Sequence, residues 1–102
     1  MKRIWELEEL IESFTLETEE TQLWNGKEPS GQLGLAVLLK FFQYEGRFSY
    51  YAAEMPGSVI TYIAEQLGIG VEQYLQYDHN GRRSKRDRMM VREYRGSTRI
   101  GT

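Results

Sequence analysis

The 102-residue chain has no cysteine, one histidine and two prolines. Without cysteine there is no disulfide framework and no thiolate metal site, a composition that fits a reducing compartment. The single histidine, His79, stands in a turn-like stretch, "YDHNG" at 77–81, without the spacing of a zinc-ligand set or a catalytic triad. There is no G-x-S-x-G and no Gly-Lys-Ser/Thr phosphate loop. Carboxylates are abundant, but they fall on amphipathic helix faces, and no pair is marked for metal binding or acid–base work. The expectation is a non-catalytic domain with no cofactor, no metal and no small-molecule substrate. No run of about 18 apolar residues exists, so no membrane span is expected. The start, "MKRIWELEEL", turns acidic too early for the apolar centre of a secretory signal.

What is present is a split in charge. Residues 1–81 carry 5 Lys/Arg and 13 Asp/Glu, a net −8, whereas residues 82–102 carry 8 Lys/Arg and 2 Asp/Glu, a net +6. Such asymmetry points to an anionic partner for the basic end, or to a basic end folded back on the acidic part. The length suits one small domain.

The periodicity is helical throughout. In "RIWELEELIESF" (3–14), Ile4, Leu7, Leu10, Ile11 and Phe14 recur at helical spacing, with Glu6, Glu8, Glu9 and Glu12 on the solvated face. A shorter helix is expected within 15–26, capped by Thr18, anchored by Leu23 and Trp24 and stopped by Asn25-Gly26. "SGQLGLAVLLKFFQYEG" (30–46) is apolar nearly all round between Leu33 and Phe42, so it should run through the centre of a bundle. Ser30 would cap it and Gly46 end it. Lys40 would snorkel to the edge, and Phe41, Phe42 and Tyr44 would join the core. Pro56-Gly57 opens the next helix, with Val59, Ile60, Ile63 and Leu67 facing in and Gly68 ending it. After "GIG" a short helix follows, with Val71, Tyr74 and Leu75 inward, giving a corner of helix-turn-helix spacing. The fold class expected is all-α, a bundle of five or six helices.

"GRRSKRDRMM" (81–90) holds five cations in ten residues. Ser84 and Asp87 form a capping-box-like S-x-x-D, which places a helix start at Lys85. Lys85, Arg88, Arg92 and Arg95 then lie in one stripe, and Met90, Val91 and Tyr94 fall on another face that can dock on the bundle. Arg82, Arg83 and Ser84 precede the helix, where free N–H groups and the dipole favour an anion. A row of cations repels itself, so a compensating partner is expected: a nucleic-acid backbone, the acidic first helix, or solvent alone.

Several stretches resemble the N-terminal region of Tn3-family transposases, the part often called DUF4158. They are "WELEELIESFTL" (5–16), "LGLAVLLKFFQYEGRF" (33–48), "VITYIAEQLG" (59–68), and "YDHNGRRSKRDR" (77–88) followed by "VREYRG" (91–96). The resemblance implies an all-α module, residues 1–96 with a polar tail 97–102, that binds double-stranded DNA at transposon ends, in the bacterial cytoplasm at the nucleoid. Catalysis would belong to a separate C-terminal domain. The matched basic positions are Arg82, Lys85, Arg86, Arg88 and Arg92. In this reading Arg82, Arg83 and Lys85, with Ser84, hold phosphates, and Arg88 and Arg92 face a groove. The rival reading is a protein-interaction module, in which the acidic helix 3–14 binds another transposase domain or a second copy. RNA binding is disfavoured because the aromatics are expected in the core.

Overall fold

A computed structural model describes residues 2–48, 54–79 and 81–100, with side chains described as far as Tyr94. Among the described residues, four α-helices and two short 3-10 helices make an all-α bundle with no strand. In chain order they are α1 (Leu7–Phe14), a first 3-10 helix (Thr18–Leu23), α2 (Pro29–Glu45), α3 (Gly57–Leu67), a second 3-10 helix (Val71–Gln76) and α4 (Arg82–Ile100).

α2 is the axis of the bundle, as its sequence dictates. Every residue from Leu33 to Phe41 is buried, and α1, α3, α4 and the second 3-10 helix all pack on it. A proline at the first helical position pre-sets its backbone. Its N-cap is Glu28, two residues ahead of the expected Ser30, which lies inside the first turn and is buried. Gly46 and Gly68 end α2 and α3 in the left-handed conformation, at φ 78° and 71°, where a Cβ would be strained.

Lys40 does not snorkel. It is 3% exposed, and its ammonium lies 2.8 Å from Glu20 Oε1. Glu20, itself 2% exposed, also accepts from Gln43 Nε2 at 2.7 Å and from the Glu17 backbone N–H at 2.9 Å. A buried ammonium needs such partners, because desolvation without them costs several kcal/mol. The helix of 15–26 is therefore a 3-10 segment capped by Glu17 rather than Thr18, and its job is to bring a carboxylate to the core.

α1 begins at Leu7, with Glu6 as N-cap, later than the periodicity suggests. The Glu6 N–H donates to Glu9 Oε1 at 2.9 Å. Lys2 pairs with Glu9, whose carboxyl is held below its usual range chiefly by that bond. Only Leu10 and Phe14, one turn apart, are buried; Ile4, Leu7 and Ile11 are exposed. Trp5 packs edge-on to Phe14 at 5.0 Å between ring centroids and Tyr44 packs tilted against it at 5.5 Å, although Tyr44 itself is 45% exposed rather than a core residue. Gln66 of α3 clamps the end of α1: its Nε2 donates to the Phe14 carbonyl at 2.9 Å and its Oε1 accepts from the Leu16 N–H at 2.8 Å.

The expected corner is α3, then Gly68–Gly70, then the second 3-10 helix. With about three residues per turn, positions three apart share a face and the next residue points roughly 120° away. Accordingly Tyr74 and Tyr77 are buried and Leu75 is 82% exposed. Val71, at the open first position of the element, is 43% exposed although it is three before Tyr74, so neither Val71 nor Leu75 faces inward as expected. No helix among the described residues is long and apolar enough to cross a membrane.

Candidate nucleic-acid interface

The basic segment is helical from Arg82, three residues earlier than the S-x-x-D pattern places it. Arg82, Arg83 and Ser84 thus form the first turn of α4. The two residues of that pattern serve a different purpose. Ser84 is 1% exposed, and its one hydroxyl proton is shared between the carbonyls of His79 (2.9 Å) and Gly81 (3.0 Å). Asp87 is fully buried, and its Oδ2 accepts from the Tyr77 hydroxyl at 2.5 Å. Its Oδ1 has no hydrogen-bond partner, and the nearest charge is Lys27 Nζ at 3.8 Å. Burial, and then the bond to Asp87, push the Tyr77 hydroxyl well above the ordinary tyrosine pKa. Tyr77 therefore stays a donor across the physiological range.

Tyr77 is held from its other side by α2. A Cβ at Gly34 would lie within 2.5 Å of three atoms of the Tyr77 ring, so only glycine admits the ring there. The chain Gly34, Tyr77, Asp87 ties the middle of α2 to the first turns of α4. His79 supports the junction, with its ring edge-on to Tyr74 at 4.7 Å and to Tyr77 at 5.0 Å, and Nε2 3.1 Å from the Tyr74 carbonyl.

This anchoring fixes which side of α4 faces out. Ser84, Asp87 and Val91 are buried, with Arg88, Met90 and Tyr94 half-buried beside them. The expected docking residues Met90, Val91 and Tyr94 do pack on the core. Arg82, Lys85, Arg86, Met89, Arg92 and Glu93 are exposed. The exposed row is Arg82, Lys85, Met89 and Arg92, not the expected stripe through Arg88. Arg88 lies on the flank of the buried side, one turn beyond Ser84, and its Nη2 donates to the His79 carbonyl at 3.2 Å. The Arg95 side chain is outside the described residues. α4 continues to Ile100.

Among the described residues, Arg82, Lys85 and Arg86 make no ion pair. Arg92 lies over the Phe48 ring, 5.2 Å from its centroid, which steadies it without neutralising it. Among the described residues, no cation of α4 pairs with a glutamate of α1. Arg83 pairs instead with Glu28 at the start of α2, and that hydrogen bond raises the guanidinium pKa further.

A cleft of about 400 Å³ opens between the first turns of α2 and α4, lined by Lys27, Glu28, Gly31, Arg83, Arg86 and Asp87. Sequence reading missed it because half of its lining, Lys27, Glu28 and Gly31, comes from the start of α2 and the residues just before it, with Glu28 55 positions from Arg83. One signal was present: an aspartate alone among five cations marks a position with a special reason to be acidic.

The fold and this surface define a small all-helical domain that presents one cationic helix face. The chain belongs to the DUF4158 family: the family model described as "Domain of unknown function (DUF4158)" matches residues 1–102. No curated protein and no solved structure matches it significantly.

Proposed function

We propose that this domain is the DNA-binding N-terminal module of a Tn3-family transposase, recognising the terminal inverted repeats of the transposon and carrying no catalysis itself. The observation that carries the reading is the outward row on α4. Arg82, Lys85 and Arg86 are exposed and unpaired among the described residues, on a helix whose opposite side is fixed by buried bonds. Unpaired cations on a rigid convex element suit the phosphates of a duplex, since each phosphate neutralised releases counterion. Of the residues the sequence singled out, Arg82, Lys85, Arg86 and Arg92 are exposed and would contact DNA in this reading. Arg83 can do so once it leaves Glu28. Ser84 and Arg88 act inward, by orienting the helix. Resemblance to the transposase N-terminal region adds the identity of the duplex.

The test is a titration of labelled inverted-repeat and scrambled duplexes at two salt concentrations. Four phosphate contacts give a log–log salt slope of roughly −3.6. Tighter binding to the repeat with such a slope supports the reading, and absence of binding to either duplex sinks it. The rival, a protein-interaction module, draws on one observation: α1 exposes Leu7 and Ile11, one turn apart, beside exposed Glu8 and Glu12. Self-association or capture of another transposase domain, without DNA binding, would favour it.

A further inference from the structure

We propose that the cleft between α2 and α4 seats one phosphodiester of the bound duplex, and that Glu28 occupies this seat in the free protein as an internal competitor. The proposal rests on the DNA-binding reading and adds a site and a form of self-regulation to it. Three cations, Lys27, Arg83 and Arg86, line a concavity of about 400 Å³. Gly31 contributes no side chain at its wall, and a Cβ there would lie 3.8 Å from Arg83 Nη1. The first turns of α2 and α4 both border the cleft, so the positive ends of two helix dipoles add to its field. Arg83 already holds an oxyanion there, the carboxylate of Glu28. Both side chains are about half exposed, at 48% and 56%. A pair so exposed is weak, so another oxyanion can displace it.

The floor of the cleft decides the kind of anion. The Asp87 side chain is buried there, with Oδ1 unbonded, Lys27 Nζ 3.8 Å away and Arg83 within electrostatic reach. An anion driven to the floor would meet that bare acceptor oxygen. One held at the mouth by Arg83 and Arg86 would not. A phosphodiester in a chain stays at the mouth, carried by its neighbours' contacts along α4. A small free phosphate has no such support. The ligand chemistry is thus a polyanion's backbone.

The experiment measures dissociation constants for one labelled mixed-sequence duplex at low salt, using the full chain and the variants Glu28→Gln, Arg83→Ala and the two combined. Glu12→Gln on α1 is the control for loss of one exposed acid elsewhere. Releasing Arg83 should tighten binding about two- to fivefold in Glu28→Gln, the range set by an exposed ion pair. Most of that gain should vanish when Arg83 is absent, and Glu12→Gln should match wild type. Inorganic phosphate at millimolar concentration should not compete. The inference is overturned, with the DNA reading intact, if wild type binds the duplex yet Glu28→Gln gains no more than Glu12→Gln, or gains equally without Arg83. Competition by inorganic phosphate overturns the polyanion assignment. If wild type binds no duplex at all, the DNA reading itself falls and takes this inference with it.

Discussion

Replacing Gly34 with alanine tests the junction that orients α4. In an exposed helix interior this change stabilises by about 1 kcal/mol, because alanine is the better helix former. Here the new methyl would sit within 2.5 Å of three atoms of the Tyr77 ring. Carbon atoms in contact rest about 3.5–4.0 Å apart, so the ring must retreat by an ångström or more. It has nowhere easy to go: Tyr77 is 3% exposed and its hydroxyl is bound to Asp87 at 2.5 Å. Overpacking costs about 1–3 kcal/mol. Losing a hydrogen bond to a buried carboxylate costs about 1.5–3 kcal/mol more. Less the helix-propensity gain, Gly34→Ala should destabilise by roughly 1.5–5 kcal/mol, lowering Tm by roughly 6–40 °C in a domain of this size. Urea denaturation followed by far-UV circular dichroism gives the free energy directly. In a Tyr77→Ala background the same substitution should be neutral or mildly stabilising, because the obstruction is gone. Gly34→Ala as stable as wild type, or equal losses in both backgrounds, would refute the reasoning.

The other expectations concern single interactions. Glu20→Ala should cost about 3–5 kcal/mol in a urea titration by leaving buried Lys40 without its counter-charge, whereas Glu20→Leu with Lys40→Met should restore most of the loss. Tyr77→Phe, which keeps the ring and removes only the donor to Asp87, should cost about 1.5–3 kcal/mol by the same assay. Alkali should destabilise the fold. Burial pushes Tyr74 up to about 12, and Tyr77 shifts in the same direction, so the folded state keeps protons that the unfolded chain releases above about pH 10. Stability is then full below pH 10 and falls by about 1.4 kcal/mol per pH unit for each such tyrosine as pH rises toward 12, which melts across that range would show. Lys85→Ala and Arg86→Ala should leave stability within about 0.5 kcal/mol, and each should make the salt slope of duplex binding shallower by about 0.9.

How much of this was legible in the sequence varied with the kind of force involved. α2 could be read because an all-apolar run with a glycine stop has few other fates. The ends of α3 could be read for the same reason. The buried side of α1 could not: five apolar residues share a broad stripe, and only contact with α2 and α3 selects Leu10 and Phe14. Lys40 and Glu20 lie twenty positions apart, on elements whose approach no local pattern encodes. The start of α4 was misplaced because S-x-x-D is a good local cap, and a tertiary partner outbid it. Tyr77 takes Asp87, and Ser84 turns to the carbonyls of the preceding turn. The cations of α4 were evident from composition, but their division was not. Arg82, Lys85, Arg86 and Arg92 face out while Arg88 turns in, because the buried acid sets the rotation of the helix.

That rotation is itself a reason for the polar anchoring of α4. An apolar docking patch tolerates a helix that turns or slides, since hydrophobic contact has no preferred direction. A turn by one residue, about 100°, would swing Arg82, Lys85 and Arg86 away from their common side. Hydrogen bonds do have direction. In its first two turns α4 docks through Ser84, Asp87 and Arg88, and only from Met90 onward does apolar packing by Met90, Val91 and Tyr94 take over. Burying an aspartate in a basic helix costs desolvation and cancels one positive charge, a poor choice if affinity for polyanions were all that mattered. It is a sound choice if the cations must face one way. Under the proposed reading Asp87 is a positioning residue: it touches no DNA, yet Asp87→Asn should spread the cations over the surface and lower discrimination between the inverted repeat and a scrambled duplex more than it lowers binding to either. An Asp87→Asn protein that folds and discriminates as well as wild type would show that the helix is oriented by its apolar contacts alone.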